Sequence, residues 1–178
     1  MKSYHHGNLK QELIDCASKM CERDGYTKLS IRSLAKESNV SQTAPYRHFK
    51  TKEDLYAEIA TEGFNKLHKT ISKNQSSDSE KNLTIGAKAY IQFGLNNANT
   101  YDLMFGTAVP DFTKYPLLFQ SANKTYLHIR TKFNEFSKIK DQKLIEEKCV
   151  YIWAQMYTHF SSCLLYRSPS PRDKWTSR

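Results

Sequence analysis

The chain has 178 residues, enough for one ordinary domain with a sizeable core or for two small ones. Hydrophobic residues at 39% and charged residues at 25% exclude a disordered or fibrous class, and six glycines and five prolines are too few for a turn-rich sandwich or barrel. The 27 basic and 18 acidic side chains leave a net charge of +9, which favours a polyanionic partner.

No apolar run approaches the roughly 20 residues that span a bilayer, and Met1 to Leu13 has no apolar core of signal-peptide length. The expectation is a cytoplasmic chain without a membrane partner. Cys16, Cys21, Cys149 and Cys163 form no C-x-x-C pair. They read as reduced, buried, structural thiols, and neither a metal nor a cofactor is expected.

The predicted elements are all helical. Leu9, Leu13, Cys16 and Met20 mark one stripe of a helix over Asn8 to Asp24, with Asn8 as N-cap and Gly25 as the stop. Ser30 can cap a short helix over Ile31–Ser38, and Ser41 a third over Gln42–Phe49. Thr51 and Asp54 resemble a capping box that opens a fourth, with Leu55, Ile59, Gly63 and Leu67 on one face. The polar stretch 72–80 has no apolar residue and reads as a hinge. Beyond it Leu83 to Leu95, Asn99–Phe105, Leu118 to Phe136 and Ile145 to Cys163 mark four more helices. No strand and no internal repeat is expected. The predicted fold is all-α, an N-terminal three-helix helix-turn-helix domain followed by a helical effector-binding and dimerisation domain. The domain limits are 1–71 with the connecting fourth helix, 72–166, and an irregular basic tail over 167–178.

Residues 30–52 carry Arg32, Lys36, Arg47, Lys50 and Lys52 against the single acid Glu37. Ile31, Leu34 and Ala35 give the first of the two short helices an apolar face whose small centre admits a crossing helix. Asn39 stands where the chain must reverse, and Asn tolerates the left-handed conformation. Two short helices joined this closely cross steeply, which is helix-turn-helix geometry. There the start of the second helix meets base edges in the major groove of duplex DNA. Those residues are Ser41, Gln42, Thr43 and Ala44. Gln can pair bidentately with adenine, and Thr and Ala can touch a thymine methyl. Tyr46, Arg47, His48, Lys50 and Lys52 follow with groups that suit phosphates, and Lys52 opens a helix whose backbone N–H groups also favour an anion. A structural helix pair with a solvated basic surface is the plainer alternative.

Residues 8–67 resemble the DNA-binding domain of the tetracycline-repressor (TetR) family. The resemblance rests on Leu29 to Leu55, above all the Val-Ser…Tyr-Arg-His-Phe-x-x-Lys-Glu-x-Leu run beginning at Val40. The opening Tyr4-His-His-Gly-Asn-Leu9 is similar to the start of one subgroup. The resemblance implies an all-helical homodimeric regulator of transcription, usually a repressor, that binds a palindromic operator and is released by a small molecule. It puts Tyr46, His48 and Lys52 at phosphate-contact positions and Gln42 and Thr43 at base-contact positions, with Ser30 and Arg32 approaching the backbone. The family often has Gly where Thr43 stands.

In the C-terminal half, Tyr101-Asp-Leu-Met-Phe-Gly106 and Trp153…His159 resemble a subgroup with a Trp…His-Gly effector signature, Phe160 standing at the Gly position. Aromatics at helical spacing are core more often than pocket. As a group, Tyr90, Phe93, Met104, Phe105, Phe119, Tyr126, Trp153, Met156, Tyr157 and His159 are the candidate lining for a small, largely apolar effector. The helix over 141–166 is apolar on two faces and is expected to hold a homodimer, helped by the one before it. The tail from Arg167 cannot continue a helix through its two prolines, where family members usually place a further dimerisation helix. No nucleotide-binding glycine loop, metal spacing or nucleophile elbow is present, so an enzyme is not expected. An architectural or constitutive DNA binder without an effector is the alternative function.

Overall fold

Local capping sets most of the helix boundaries. The computed structural model describes residues 9–73 and 76–167, with side chains through residue 158. Its α-helices are α1 (Leu9–Asp24), α2 (Ile31–Glu37), α3 (Lys52–Ile71), α4 (Ser79–Asn96), α5 (Ala98–Phe105), α6 (Pro116–Ser137) and α7 (Gln142–Arg167). Short 3-10 turns occupy Tyr26–Lys28, Pro45–Arg47 and Phe112–Lys114, and there is no strand among the described residues. The cap expected at Asn8 and the tail from residue 168 lie outside the described residues.

Gly25 ends α1 with φ 82°, a conformation that L side chains rarely adopt, while its N–H closes on the Cys21 carbonyl at 2.8 Å. Asp78 opens α4 by accepting from the Glu80 and Lys81 amides. Asp141 does the same for α7, accepting from the Lys143 and Leu144 amides at 2.9 and 3.3 Å.

The third helix expected over Gln42–Phe49 is replaced by a turn over 42–44 and the 3-10 turn Pro45–Arg47. Proline explains the difference. Pro45 has no N–H for the Ser41 carbonyl, and its ring crowds that carbonyl in an α-helix. The Ser41 carbonyl instead accepts from Ala44 at 3.0 Å, and the tighter three-residue spacing continues with Arg47 to Ala44 and His48 to Pro45.

The chain folds into two compact units that do not follow chain order: Met1–Lys69 with Asn99–Thr125, and Thr70–Ala98 with Tyr126–Arg178. In the first, Leu13, Ala17 and Cys21 of α1, Leu34 and Ala35 of α2, Phe49, and Leu55, Ile59 and Ala60 of α3 are fully buried. The small residues Ala17, Ala35 and Ala60 let the helices of this core approach closely. Gly63 of α3 serves α5 in the same way. A Cβ there would lie 2.5 Å from Met104 Sδ and 3.2 Å from Thr100 Cγ2. Phe64 meets Phe105 and Phe112 edge-on, with ring centres 5.2 and 6.0 Å away.

Glu22 fastens α1 to the start of α5. Its carboxylate accepts from Thr100 N at 3.1 Å and Thr100 Oγ1 at 2.9 Å, and Asn99 Nδ2 donates to the Glu22 carbonyl at 2.7 Å. The negative charge sits at the amide end of α5, where the helix dipole favours it. Cys21, beside it, is fully buried, and burial followed by the Glu22 charge pushes its thiol up to about 12. Cys149 is also buried, whereas Cys16, expected to be buried, is half-exposed.

In the second unit Tyr90 and Phe93 of α4 and Ile145 and Cys149 of α7 are buried. Tyr126 stacks on Trp153 with ring centres 5.5 Å apart and planes 12° from parallel. Asn82 closes the loop before α4, its amide and carbonyl both 2.6 Å from the Ser76 backbone.

Candidate nucleic-acid interface

The turn between the short helices is built from backbone geometry that one residue makes possible. Asn39 sits at φ 52°. This lets the Val40 N–H reach back to the Ala35 carbonyl at 3.0 Å and the Asn39 N–H to Lys36 at 3.2 Å. These two bonds satisfy the last carbonyls of α2 and redirect the chain. At the other end of α2, Ser30 and Ser33 form a reciprocal capping box. The Ser30 hydroxyl is engaged there with the Ser33 amide and hydroxyl, so its described role is to start α2.

The structure brings the candidate DNA-contact residues together in one exposed stretch. Arg32, Ser41, Gln42, Thr43, Tyr46, Arg47, His48, Lys50 and Lys52 are exposed, and Ala44 is half-buried. Tyr46 keeps 45% of its surface open although it is aromatic. Pro45 and Phe49, between the exposed residues, are buried and anchor the stretch to the core. The hydroxyls of Ser41 and Thr43 lie 3.3 Å apart, and Gln42 between them in the chain is exposed.

The electrostatics favour an anion. Arg32, Arg47 and Lys50 have no carboxylate partner within 4.0 Å among the described residues. Glu37, the one acid of the stretch, accepts from Arg23 at 2.9 Å, which offsets its charge. Lys52 is held in place: its ammonium donates to the Thr27 carbonyl at 3.2 Å and lies 5.2 Å from the centre of the Tyr56 ring. The Tyr56 hydroxyl in turn donates to the Tyr26 carbonyl at 2.6 Å. Two of the three ammonium protons remain for an outside acceptor.

The amide end of α3 is partly occupied by its own side chains. Thr51 and Asp54 form the anticipated capping box at 2.9 and 3.1 Å, and Glu53 and Asp54 put acid in the first turn. The two acids weaken the attraction of this end for phosphate, and the Lys52 ammonium is its main positive group. Tyr115, which sequence reasoning missed, holds Asp54 through its hydroxyl at 3.3 Å. Burial, then the neighbouring Glu53 and Asp54, push that phenol up to about 12, so it stays a donor. Nothing local in the sequence points to Tyr115 or to Glu22, because each acts on a partner about 60 or more positions away.

The second unit contains a cavity of about 250 Å³ between α4, the end of α6 and α7. Of the candidate pocket residues, Tyr90, Tyr126, Trp153 and Met156 line it. Phe93 is buried elsewhere in this unit, and Tyr157 is half-buried off the lining. Met104 and Phe105 belong to the first unit, where Met104 is fully buried against Gly63 and Phe105 packs on Phe64 and Tyr101. Phe119 is 51% exposed. The side chain of His159 lies outside the described residues. The sequence did not single out Ile71, Gly86 or Cys149 as lining. His128, which also lines the cavity, is pushed down by burial and by Lys132, and its ring is hydrogen-bonded to the Ile71 backbone.

Residues 13–59 match the model of the bacterial regulatory proteins of the tetR family. This segment is similar to the DNA-binding domain of that family. Over 97 residues the chain is 24% identical to YobS of Bacillus subtilis (strain 168), an HTH-type transcriptional regulator. That match takes in 54% of this chain and 51% of YobS, so the chain spans about half the length of this relative. A Rhodococcus sp. RHA1 protein of unknown function superposes with a TM-score of 0.73 at 22% identity, over 98% of this chain and 92% of its own. A TetR-family transcriptional regulator from Bordetella parapertussis 12822 superposes with a TM-score of 0.66 at 15% identity, over 88% and 84%. The TetR fold therefore extends over both units. The proteins that the chain resembles by sequence and fold include transcriptional regulators. Among the described residues no helix is long and apolar enough to cross a membrane.

Proposed function

We propose that the chain is a repressor that binds a palindromic operator as a homodimer and is released by a small, largely apolar molecule. The observation that carries the reading is the exposed, acid-poor stretch from Arg32 to Lys52, with Gln42 exposed between Asn39 and Pro45, which shape the turn. On this reading Gln42, Thr43 and Ala44 meet base edges, while Arg32, Tyr46, Arg47, His48, Lys50 and Lys52 meet phosphates. Residues 1–71 form the DNA-binding domain with its connecting helix, 72–166 the effector and dimerisation domain, and 167–178 a basic tail. The Trp153…His159 spacing supports the subgroup with the Trp…His-Gly signature.

Dimerisation is supported by Leu144, Val150, Tyr151 and Ile152 of α7, each at least 40% exposed although apolar or aromatic, and by Leu127 and Phe136 of α6. The cavity between α4, α6 and α7 is the effector site. Its wall includes Ile71, the last residue of α3, and Lys52 is the first residue of the same helix. A ligand lowers operator affinity only by its differential affinity for two arrangements of that helix, typically about 1–3 kcal/mol.

The test is protection of the DNA flanking the chain's own gene, repeated with Gln42→Ala. Two protected half-sites about one helical turn apart are expected, and the variant loses roughly 1–3 kcal/mol on that site while binding random duplex as before. Equal loss on both duplexes removes Gln42 as a base reader. Protection without a preferred site favours an architectural binder.

A further inference from the structure

The charge on the cavity wall is one-sided. Its lining residues include Lys73, Lys132, His128 and Asn82 but no Asp or Glu. The rest of the wall is apolar or aromatic, dominated by Ile71, Leu83, Ile129, Phe133, Ile152 and Met156. Tyr126 and Trp153, nearly parallel at 12°, make part of it flat.

The two ammonium groups differ. Lys132 is ion-paired with Glu135 at 2.9 Å, its side chain only 20% exposed. Lys73 has no carboxylate within 4.0 Å among the described residues. It follows the end of α3 by two positions and is exposed, so it marks the mouth of the cavity rather than its floor. A cation entering here would stand beside the Lys73 charge with no acid on the wall, the Lys132 charge being offset by Glu135, and this disfavours it. A neutral apolar molecule would fill the wall and leave the Lys73 charge without a counter-ion. An anion completes both.

A second feature shows that the space is open. Gly86 of α4 lines the cavity, and a Cβ built on it would meet no atom within 4 Å. A side chain at this position would enter free space, so the volume is not held by packing.

We propose that the cavity takes a flat or elongated apolar molecule bearing one anionic group, its apolar body against Tyr126, Trp153 and the aliphatic wall and its anion at Lys73 and Lys132. This rests on the reading of the cavity as the effector site and adds the chemical class of the effector. His128, neutral and bonded to the Ile71 backbone, supplies polarity without a competing charge. Affinity divides between the two parts: burial of the apolar body provides most of it, and the charge pairing provides selectivity.

The test uses the full chain and two matched fluorescent probes, anilinonaphthalene sulfonate and its uncharged parent N-phenylnaphthylamine. The sulfonate is expected to bind several-fold more tightly. Lys73→Ala with Lys132→Ala weakens the sulfonate roughly three- to tenfold and leaves the parent unchanged. Gly86→Leu, which fills the cavity, removes both. Energy transfer to the bound probe falls in Trp153→Phe, which locates the probe even where the leucine variant fails to fold. Equal affinity for the two probes, together with no effect of the lysine changes, overturns the anionic class while the cavity reading stands. Binding of both probes unchanged in Gly86→Leu, with energy transfer unchanged in Trp153→Phe, overturns the cavity reading as well.

Discussion

Replacing Glu22 by alanine removes the acceptor that starts α5. The carboxylate takes two well-formed bonds from Thr100, at 3.1 and 2.9 Å, and a longer one from the Asn99 amide at 3.5 Å. Bonds to a charged acceptor contribute about 1.5–3 kcal/mol each, but Glu22 is only half-buried, and water replaces part of what is lost. The Asn99 side chain keeps its bond to the Glu22 backbone in the variant. A net loss of about 2 kcal/mol follows, which in a chain of this length lowers the midpoint of thermal unfolding by roughly 4–8 °C. Scanning calorimetry at one fixed protein concentration measures it, because self-association would otherwise move the midpoint. Glu22→Gln keeps one acceptor oxygen and should lose about half as much. Thr100→Val combined with Glu22→Ala then closes a double-mutant cycle with a coupling of about 1 kcal/mol. An alanine variant within 0.5 kcal/mol of the parent, or a cycle that closes to zero, would refute the idea that this carboxylate organises α5.

Lys52→Ala should weaken operator and random duplex alike and reduce the log–log salt slope by about one per subunit; an unchanged slope, read by fluorescence anisotropy across a salt series, places Lys52 off the phosphates. Gly63→Ala puts a Cβ 2.5 Å from Met104 Sδ, and overpacking of roughly 1–3 kcal/mol should exceed the helix-propensity gain of about 1 kcal/mol. A rise in urea midpoint would show that Met104 moves aside freely. Burial raises the Asp102 carboxyl above its ordinary value, so the folded state favours the protonated form. That disadvantage of the carboxylate is absent below the unfolded-state value and appears as pH rises through the folded one. Asp102→Asn should therefore be more stable than the parent at pH 7, with the gain shrinking in acid; a gain that persists undiminished at pH 3 contradicts burial as the cause.

What the sequence made legible was governed by short separations. The Ser30 cap, the Thr51–Asp54 box and the left-handed Asn39 each depend on residues within about five positions, so their side-chain chemistry determines them. The same holds for the exposed face around Gln42, which is legible because Pro45 and Phe49 bury themselves between polar neighbours. The shortening of the Gln42–Phe49 helix came from the same Pro45, whose missing N–H tightens the preceding turn. The pocket was less legible because an aromatic stripe shows that a face is buried without showing against what. Phe105 and Tyr126 have the same periodic signature, yet one packs on Phe64 and the other stacks on Trp153. Partners on other helices, far along the chain, decide that, and spacing along one helix carries no trace of them.

The division of the chain into interleaved units has a consequence for how the protein is made. The first unit draws on residues up to Lys69 and then again on Asn99–Thr125. On the ribosome, Gly63 and Phe64 emerge long before Met104 and Phe105, which cover them. At synthesis rates of about 5–20 residues per second, the apolar side of α3 waits roughly 2–8 s for its partners. During that interval the nascent α3 presents an uncovered greasy strip, and chaperone capture or aggregation competes with folding. A fragment ending at residue 71 would remain permanently in that state. A DNA-binding fragment cut within the polar segment 72–80 is therefore expected to lack the Asn99–Thr125 cover of its α3.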